Sequence, residues 1–211
     1  MFRAWMVVVL GVMPLASTAL ATSPDSSQEA RLTQACRVLV AGFQKELKAE
    51  LMTAMASGGP ANAISVCQKS APLIAAHYSA LPGWDIRRTS TRLRNQNNAP
   101  DAFEAATLAK LASDSLTEHA EWVSDTTGAS RFRYMSAIPM AAMCSGCHGD
   151  PANFPDTVET TLAVLYPDDK AIGFRPGELR GAFSITVDWP EGKSVADSLL
   201  ATAQPDSGQT K

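Results

Sequence analysis

The sequence predicts an α+β fold in a single domain. Apolar residues recur at helical spacing through the N-terminal part of the chain, whereas strict apolar–polar alternation marks strands further on. No βαβ repeat accompanies them, and helices followed by scattered strands are typical of the α+β class. Of the 211 residues, 45% are hydrophobic, which is enough for a core without disulfide staples.

The first third of the domain is predicted to be helical. Residues 26–29 form a capping-box sequence, and an apolar stripe begins at Leu32 with spacings of three and four. The Gly-Gly-Pro sequence at 58–60 is expected to end this helix, and a second helix follows with Cys67 on its apolar face. Pro72 should kink or end the second helix, because its ring clashes with the preceding turn.

Shorter elements are predicted over the rest of the chain from turn residues, caps and alternation. In order, they are a strand and polar loop within 83–100, a helix from Asp101 to about Glu121, a strand over 131–138, a helix starting at Asp156 and ending near Tyr166, and a strand over 183–189.

The N-terminus has the features of a secretory signal peptide. Arg3 supplies the basic start, residues 6–16 are apolar, and Ala19-Leu20-Ala21 is a small-residue cleavage site. We therefore expect residues 1–21 to be removed on export to the periplasm. An uncleaved anchor is the alternative, but the apolar stretch is short for a bilayer span, so no stable membrane insertion is expected after cleavage.

Residues 22–204 are expected to form the domain, and the small polar residues 205–211 a disordered tail. The formal net charge is −3, and no basic stripe is present. This charge pattern argues against nucleic acid as a partner.

The motif that carries chemistry is Cys144-Ser145-Gly146-Cys147-His148, which matches the C-x-x-C-H attachment sequence of c-type haem. Two intervening residues let both thiols reach the vinyl groups on one porphyrin edge, and the adjacent histidine binds the iron. A Cys144–Cys147 disulfide of the thioredoxin kind, or half of a zinc site, are the alternatives. Since no second C-x-x-C and no parallel-sheet pattern are present, the motif predicts one covalently attached haem c.

A second strong iron ligand would have to precede the motif, because no histidine, methionine or cysteine follows His148. The upstream candidates are Cys36, Cys67, His77, His119 and the methionines of the mature chain, among them Met135, Met140 and Met143. Cys67 is near Pro72, where a distorted helix could turn it toward a cofactor, but burial as a small hydrophobe or a disulfide to Cys36 are alternatives. Cys36 lies on the apolar stripe, and both upstream histidines are expected to be exposed.

Arginines form the densest positive cluster of this acidic chain, at Arg87, Arg88, Arg92 and Arg94. Guanidinium groups are the usual partners of partly buried carboxylates, such as the two propionates of haem. The cluster therefore predicts one or more propionate contacts, with a solvated loop face as the alternative.

Five blocks of sequence together resemble a bacterial family of PAS-like c-type haem proteins, long catalogued as a domain of unknown function. The blocks are residues 58–67, 87–95, 98–101, 144–149 and 166–182. The resemblance implies a PAS-like antiparallel sheet with flanking helices, His148 as one axial ligand and Cys67 as the other, although Cys36 competes for that role. Gln96 departs from the family pattern, in which we expect a proline.

These observations predict an exported monohaem cytochrome that transfers electrons with a redox partner protein. The alternative is a haem-based redox or gas sensor that signals through a partner protein. A catalytic role is less favoured, because the sequence identifies no distal acid–base histidine.

Overall fold

The computed structural model describes residues 26–114, 116–124 and 128–203. These residues form five α-helices and a four-stranded antiparallel sheet, so the α+β prediction is confirmed. The predicted signal peptide and the predicted tail lie outside the described residues. Within the three described ranges, no helix is both long enough and apolar enough to cross a membrane.

The sheet has the strand order β1-β4-β3-β2, and each neighbouring pair is antiparallel. In chain order the elements are α1 (Ser26–Ser79), β1 (Trp84–Thr89), α2 (Ala102–Ser113), β2 (Glu118–Ser124), β3 (Ser130–Pro139), α3 (Ser145–His148), α4 (Asp156–Leu165), β4 (Leu179–Trp189) and α5 (Lys193–Ala203).

α1 consists of two arms, residues 26–57 and 60–79, which are separated by non-helical Gly58 and Gly59. Gly59 has φ 70° and ψ −166°, a conformation that residues with a Cβ rarely adopt. The predicted break at this point is confirmed. It lets the arms fold back on each other, so that both contribute to one core.

Pro72 was predicted to kink or end the second helix, and the predicted end is wrong. Among the described residues of α1, only the two glycines depart from helical dihedral angles, and the helix continues to Ser79. An internal proline costs about 3 kcal/mol. Burial of Ile64 and Ile74 on either side of Pro72 offsets that cost, while the proline ring itself is exposed.

The predicted extension of the third helix to Glu121 is also wrong. α2 begins after the predicted Asp101 cap but ends at Ser113, and residues 118–124 instead pair along their whole length with β3. The Ser113 hydroxyl donates to the Asp114 carboxylate at 2.7 Å, a local side-chain bond of the kind that favours turns over helix. The sequence prediction also missed α5.

The main core lies between α1, one face of the sheet and α5. Phe132 and Tyr134 alternate into it from β3, and Ile185 and Val187 do so from β4, as the period-two patterns predicted. On the opposite face, α2 covers a smaller cluster around Met135. The sheet is therefore buried on both faces by helices.

We expect Phe132→Ala to reduce the free energy of unfolding by about 3–5 kcal/mol. The ring is 0% exposed and packs on the Trp122 ring with centroids 5.2 Å apart, so truncation leaves a cavity. Urea unfolding measures the change. The control is Leu73→Ala, whose side chain is 70% exposed and should cost less than about 0.5 kcal/mol; equal losses would contradict the assigned core.

Candidate cofactor site

A cavity of about 460 Å³ opens at the end of the sheet where β1 and β3 finish and β4 begins. Its volume is typical of sites that enclose an organic ligand. One wall comes from both arms of α1, and the others come from the polar loop after β1 and from the C-x-x-C-H turn. The cavity brings together residues predicted separately: Cys67, Cys144, His148, Arg87, Arg88, Arg92 and Arg94.

The C-x-x-C-H sequence forms one tight turn, in which Gly149 N donates to Ser145 O at 3.0 Å. A Cβ at Gly149 would lie 2.6 Å from that oxygen, so the position requires glycine. Both motif thiols are free and half-buried. Cys144 lines the cavity, whereas Cys147 packs against Ile64 and its neighbours between α1 and α4.

His148 is held in a defined tautomer. Its Nδ1 lies 2.7 Å from the carbonyl oxygen of Ala171, and because a carbonyl can only accept, Nδ1 carries the hydrogen. Burial, assisted by the charges of Arg94 and Arg180, lowers the pKa of His148 well below its ordinary value. The ring is therefore neutral with a free Nε2 lone pair, which is the form that binds a metal ion.

A buried ion pair supports the Ala171 carbonyl. Asp169 accepts the Ala171 amide at 2.8 Å through Oδ1 and Arg94 Nε at 2.9 Å through Oδ2. The Arg94 and Asp169 side chains are only 12% and 8% exposed. Arg94 also donates to the carbonyl oxygen of Cys147, so the pair joins the Ala171 loop to the motif turn.

The two upstream cysteines occupy different environments. Cys67 lies on the second arm of α1 and faces the cavity; burial raises the pKa of its thiol while the charge of Arg88 lowers it. Cys36 is 0% exposed in the main core, where burial raises its pKa well above the ordinary value. Both thiols are free, so the structure contains no Cys36–Cys67 disulfide.

The other upstream candidates are dispersed. His77 is exposed as expected, but His119 is half-buried, since it lies on β2 with its Nε2 2.9 Å from Glu121 Oε2. Met135 lies under α2 in the smaller cluster, and Met143 is exposed.

Met140 is the one upstream methionine among these candidates that lines the cavity. It packs with Ala171, Phe174 and Cys144, on the side from which the Ala171 carbonyl holds His148. Cys67 belongs to the α1 wall instead.

Alternation along β1 gives its two arginines different partners. Arg87 donates to the carbonyl oxygen of Ala99 at 2.7 Å and lies 3.8 Å from the buried Glu104 carboxylate, which ties the strand to α2. Arg88 projects from the other face, 6.0 Å from the centre of the Phe43 ring. Adjacent strand residues point to opposite faces of the sheet, so Arg87 and Arg88 contact different parts of the protein.

Sequence reasoning missed Arg180, which also lines the cavity. Burial and the charges of Arg94 and Arg88 lower its pKa to about 10. The residue lies near the start of β4, outside the arginine cluster, and no local pattern distinguishes it. The signal is its position beside the polar loop, where the Ser90 hydroxyl donates to the Arg180 carbonyl oxygen at 2.8 Å, and this proximity exists only in the folded chain.

The donor set of the cavity fits a flat, anionic iron porphyrin. It offers a neutral imidazole, sulfur atoms and several guanidinium groups. In the part of the chain that the structure describes, no three His, Cys, Asp or Glu side chains cluster closely enough to hold a metal ion by themselves.

Comparison with known proteins agrees with this architecture. The family model described as Tll0287-like matches residues 17–188. A solved structure titled "Crystal structure of the cyanobacterial heme-protein Tll0287" aligns with a TM-score of 0.53 and 27% identity, covering 72% of this chain and 94% of that chain. No curated protein matches the sequence. Because the family model spans most of its length, the chain belongs to the Tll0287-like family.

Proposed function

We propose that the protein is a c-type cytochrome, exported to the periplasm, that carries one covalently attached haem and exchanges electrons with a redox partner protein. The observation that carries the proposal is the position of His148, which is held through Nδ1 by the Ala171 carbonyl oxygen and lines a cavity that Cys144 and Cys67 also line. The similarity to a solved haem protein supports the choice of cofactor.

Cys144 and Cys147 would hold the haem through thioether bonds. Bound haem supplies a one-electron ferric–ferrous couple. The protein's part is to orient the His148 ring through Ala171 and to keep it neutral by burial. The Arg94–Asp169 pair fixes the loop that carries Ala171.

Cys67 is our proposed second axial ligand. It lies on the α1 wall of the cavity. Burial raises the pKa of its thiol, and the nearby charge of Arg88 opposes part of that effect. Cys36, which competed with it in the sequence, is enclosed in the main core. Met140 packs on the Ala171 and Cys144 side of the cavity, the same side as the Ala171 carbonyl that holds His148, whereas Cys67 lies on the α1 wall.

The surface position of the motif turn supports electron transfer. Residues 141–143 and Gly146 are exposed, so a porphyrin edge attached here would lie close to the protein surface. A short path from that edge to a partner is what a redox carrier requires.

A sensor is the second candidate, favoured by the break in α1. Cys67 lies on the arm that begins after Gly58 and Gly59, so a haem held by Cys67 would be joined to one arm of α1 just beyond its break. Such a module would signal through a partner protein. Binding of CO to the ferrous protein would favour this candidate over a carrier that stays six-coordinate.

The test of the proposal is the pyridine haemochrome spectrum of the protein produced with a c-type maturation system. We expect a c-type spectrum, one haem per chain, and haem staining that survives denaturation. The matched control replaces both motif cysteines by alanine, which should abolish the stain because no thioether can form. A wild-type protein without covalent haem would contradict the proposal.

A further inference from the structure

We infer that Arg88 and Arg180 form a two-guanidinium site for a dicarboxylate, and that its ligand is the propionate pair of the haem. This inference rests on the proposed function and goes beyond it. Five arginines line the cavity: Arg87, Arg88, Arg92, Arg94 and Arg180. The inference singles out two of them, and one of these two, Arg180, has no signal in the local sequence.

Three of these arginines already have carboxylate neighbours within the chain. Arg94 pairs with Asp169 at 2.9 Å, Arg87 lies 3.8 Å from Glu104, and Arg92 lies 4.0 Å from Glu178.

Arg88 and Arg180 differ from them. Among residues 26–114, 116–124 and 128–203, no carboxylate lies within ion-pair distance of either guanidinium. A cation removed from water without a partner is strongly unfavourable. Two such groups at one cavity therefore point to an anionic ligand that completes the site.

The Arg180 side chain is held in place by contacts other than an ion pair. Its guanidinium lies 5.2 Å from the centre of the buried Phe174 ring, and Nη1 is 3.5 Å from the carbonyl oxygen of Arg92. Its Nε is buried and has no hydrogen-bond partner among the described residues. An oriented donor with unused capacity is suited to a charge-assisted bond from a ligand oxygen.

Electrostatics agree with the geometry. Burial is the main cause that lowers the pKa of Arg88 and of Arg180, and the charges of Arg94 and Arg88 lower that of Arg180 further. An anion between these groups relieves both effects, because it replaces lost hydration and screens the mutual repulsion. Two guanidinium groups match a ligand with two carboxylates, and haem has two propionates.

The test is resonance Raman spectroscopy of the haem-loaded protein and of Arg88→Gln and Arg180→Gln, following the propionate bending modes. Both variants should shift these modes to lower frequency, since each removes a charged donor. Arg175→Gln is the matched control, because Arg175 is exposed in the loop before β4 and should leave the modes unchanged.

Haem content is measured in every sample, so the two proposals can fail separately. Covalent haem with unchanged propionate modes in both glutamine variants would overturn this inference alone. A wild-type chain without covalent haem would overturn the proposed function and this inference with it. If Arg180→Gln does not fold, Arg88→Gln carries the test, and unshifted propionate modes in that variant would refute the site.

Discussion

Cys67→Ser is expected to abolish the thiolate charge-transfer bands of the ferric, haem-loaded protein, while Cys36→Ser keeps them. Cys67 faces the cavity, where burial raises the pKa of its thiol and the charge of Arg88 opposes that effect. Cys36 is enclosed in the core, where burial and the charge of Glu118 raise its pKa well above the ordinary value. Only a thiolate ligates strongly. Visible and near-infrared absorption, together with electron paramagnetic resonance, measures the change.

The two serine variants are matched controls for each other, because each removes one sulfur and adds one hydroxyl. Bands lost in Cys36→Ser and retained in Cys67→Ser would transfer the ligand role to Cys36. If the wild-type protein shows no thiolate bands and Met140→Leu changes its spectrum, Met140 is the ligand instead.

Asp169→Asn is expected to reduce the free energy of unfolding by about 3–5 kcal/mol, because it leaves Arg94 as an uncompensated charge in a nearly dry site. The remaining amide oxygen can still accept from the Ala171 amide, as Oδ1 now does at 2.8 Å. The loss of unfolding free energy therefore measures the Arg94–Asp169 ion pair more than the hydrogen bond between Asp169 and the Ala171 amide. Urea unfolding of wild type and variant gives the difference.

The neighbouring Asp168→Asn is the control, since Asp168 is exposed and should change stability by less than about 0.5 kcal/mol. Equal effects of the two substitutions would show that the Arg94–Asp169 pair does not hold the loop. A selective loss in Asp169→Asn would identify this pair as the support of the motif turn.

Much of the fold could be predicted from local patterns. The alternation around Phe132 and Tyr134 identified β3, and the glycines at 58 and 59 identified the break in α1, because these signals depend only on side-chain direction and backbone freedom. β2 could not be predicted in this way. Its pairing with β3 outweighs the weak helical pattern that continues past Ser113, and such pairing is not encoded in one segment.

The arginine cluster shows the same limit at the site. Its four members were predicted as a group, but Arg87 lies beside Glu104 of α2 and Arg94 forms an ion pair with Asp169. The strand alternation of Arg87 and Arg88 could be anticipated, whereas the unpartnered Arg180 could not. Which cation has a carboxylate neighbour depends on segments far apart in the chain.

The sequence by itself determined the spacing of the motif and predicted its chemistry, because one short turn keeps Cys144, Cys147 and His148 together in any fold. Residues 149–211 contain no histidine, methionine or cysteine, so the sequence directed the search for a second ligand to the residues before the motif. Only the tertiary structure decided that Cys67 faces the cavity while Cys36 is enclosed in the core. Both cysteines lie on apolar helical faces, and they differ only in what the fold packs against them.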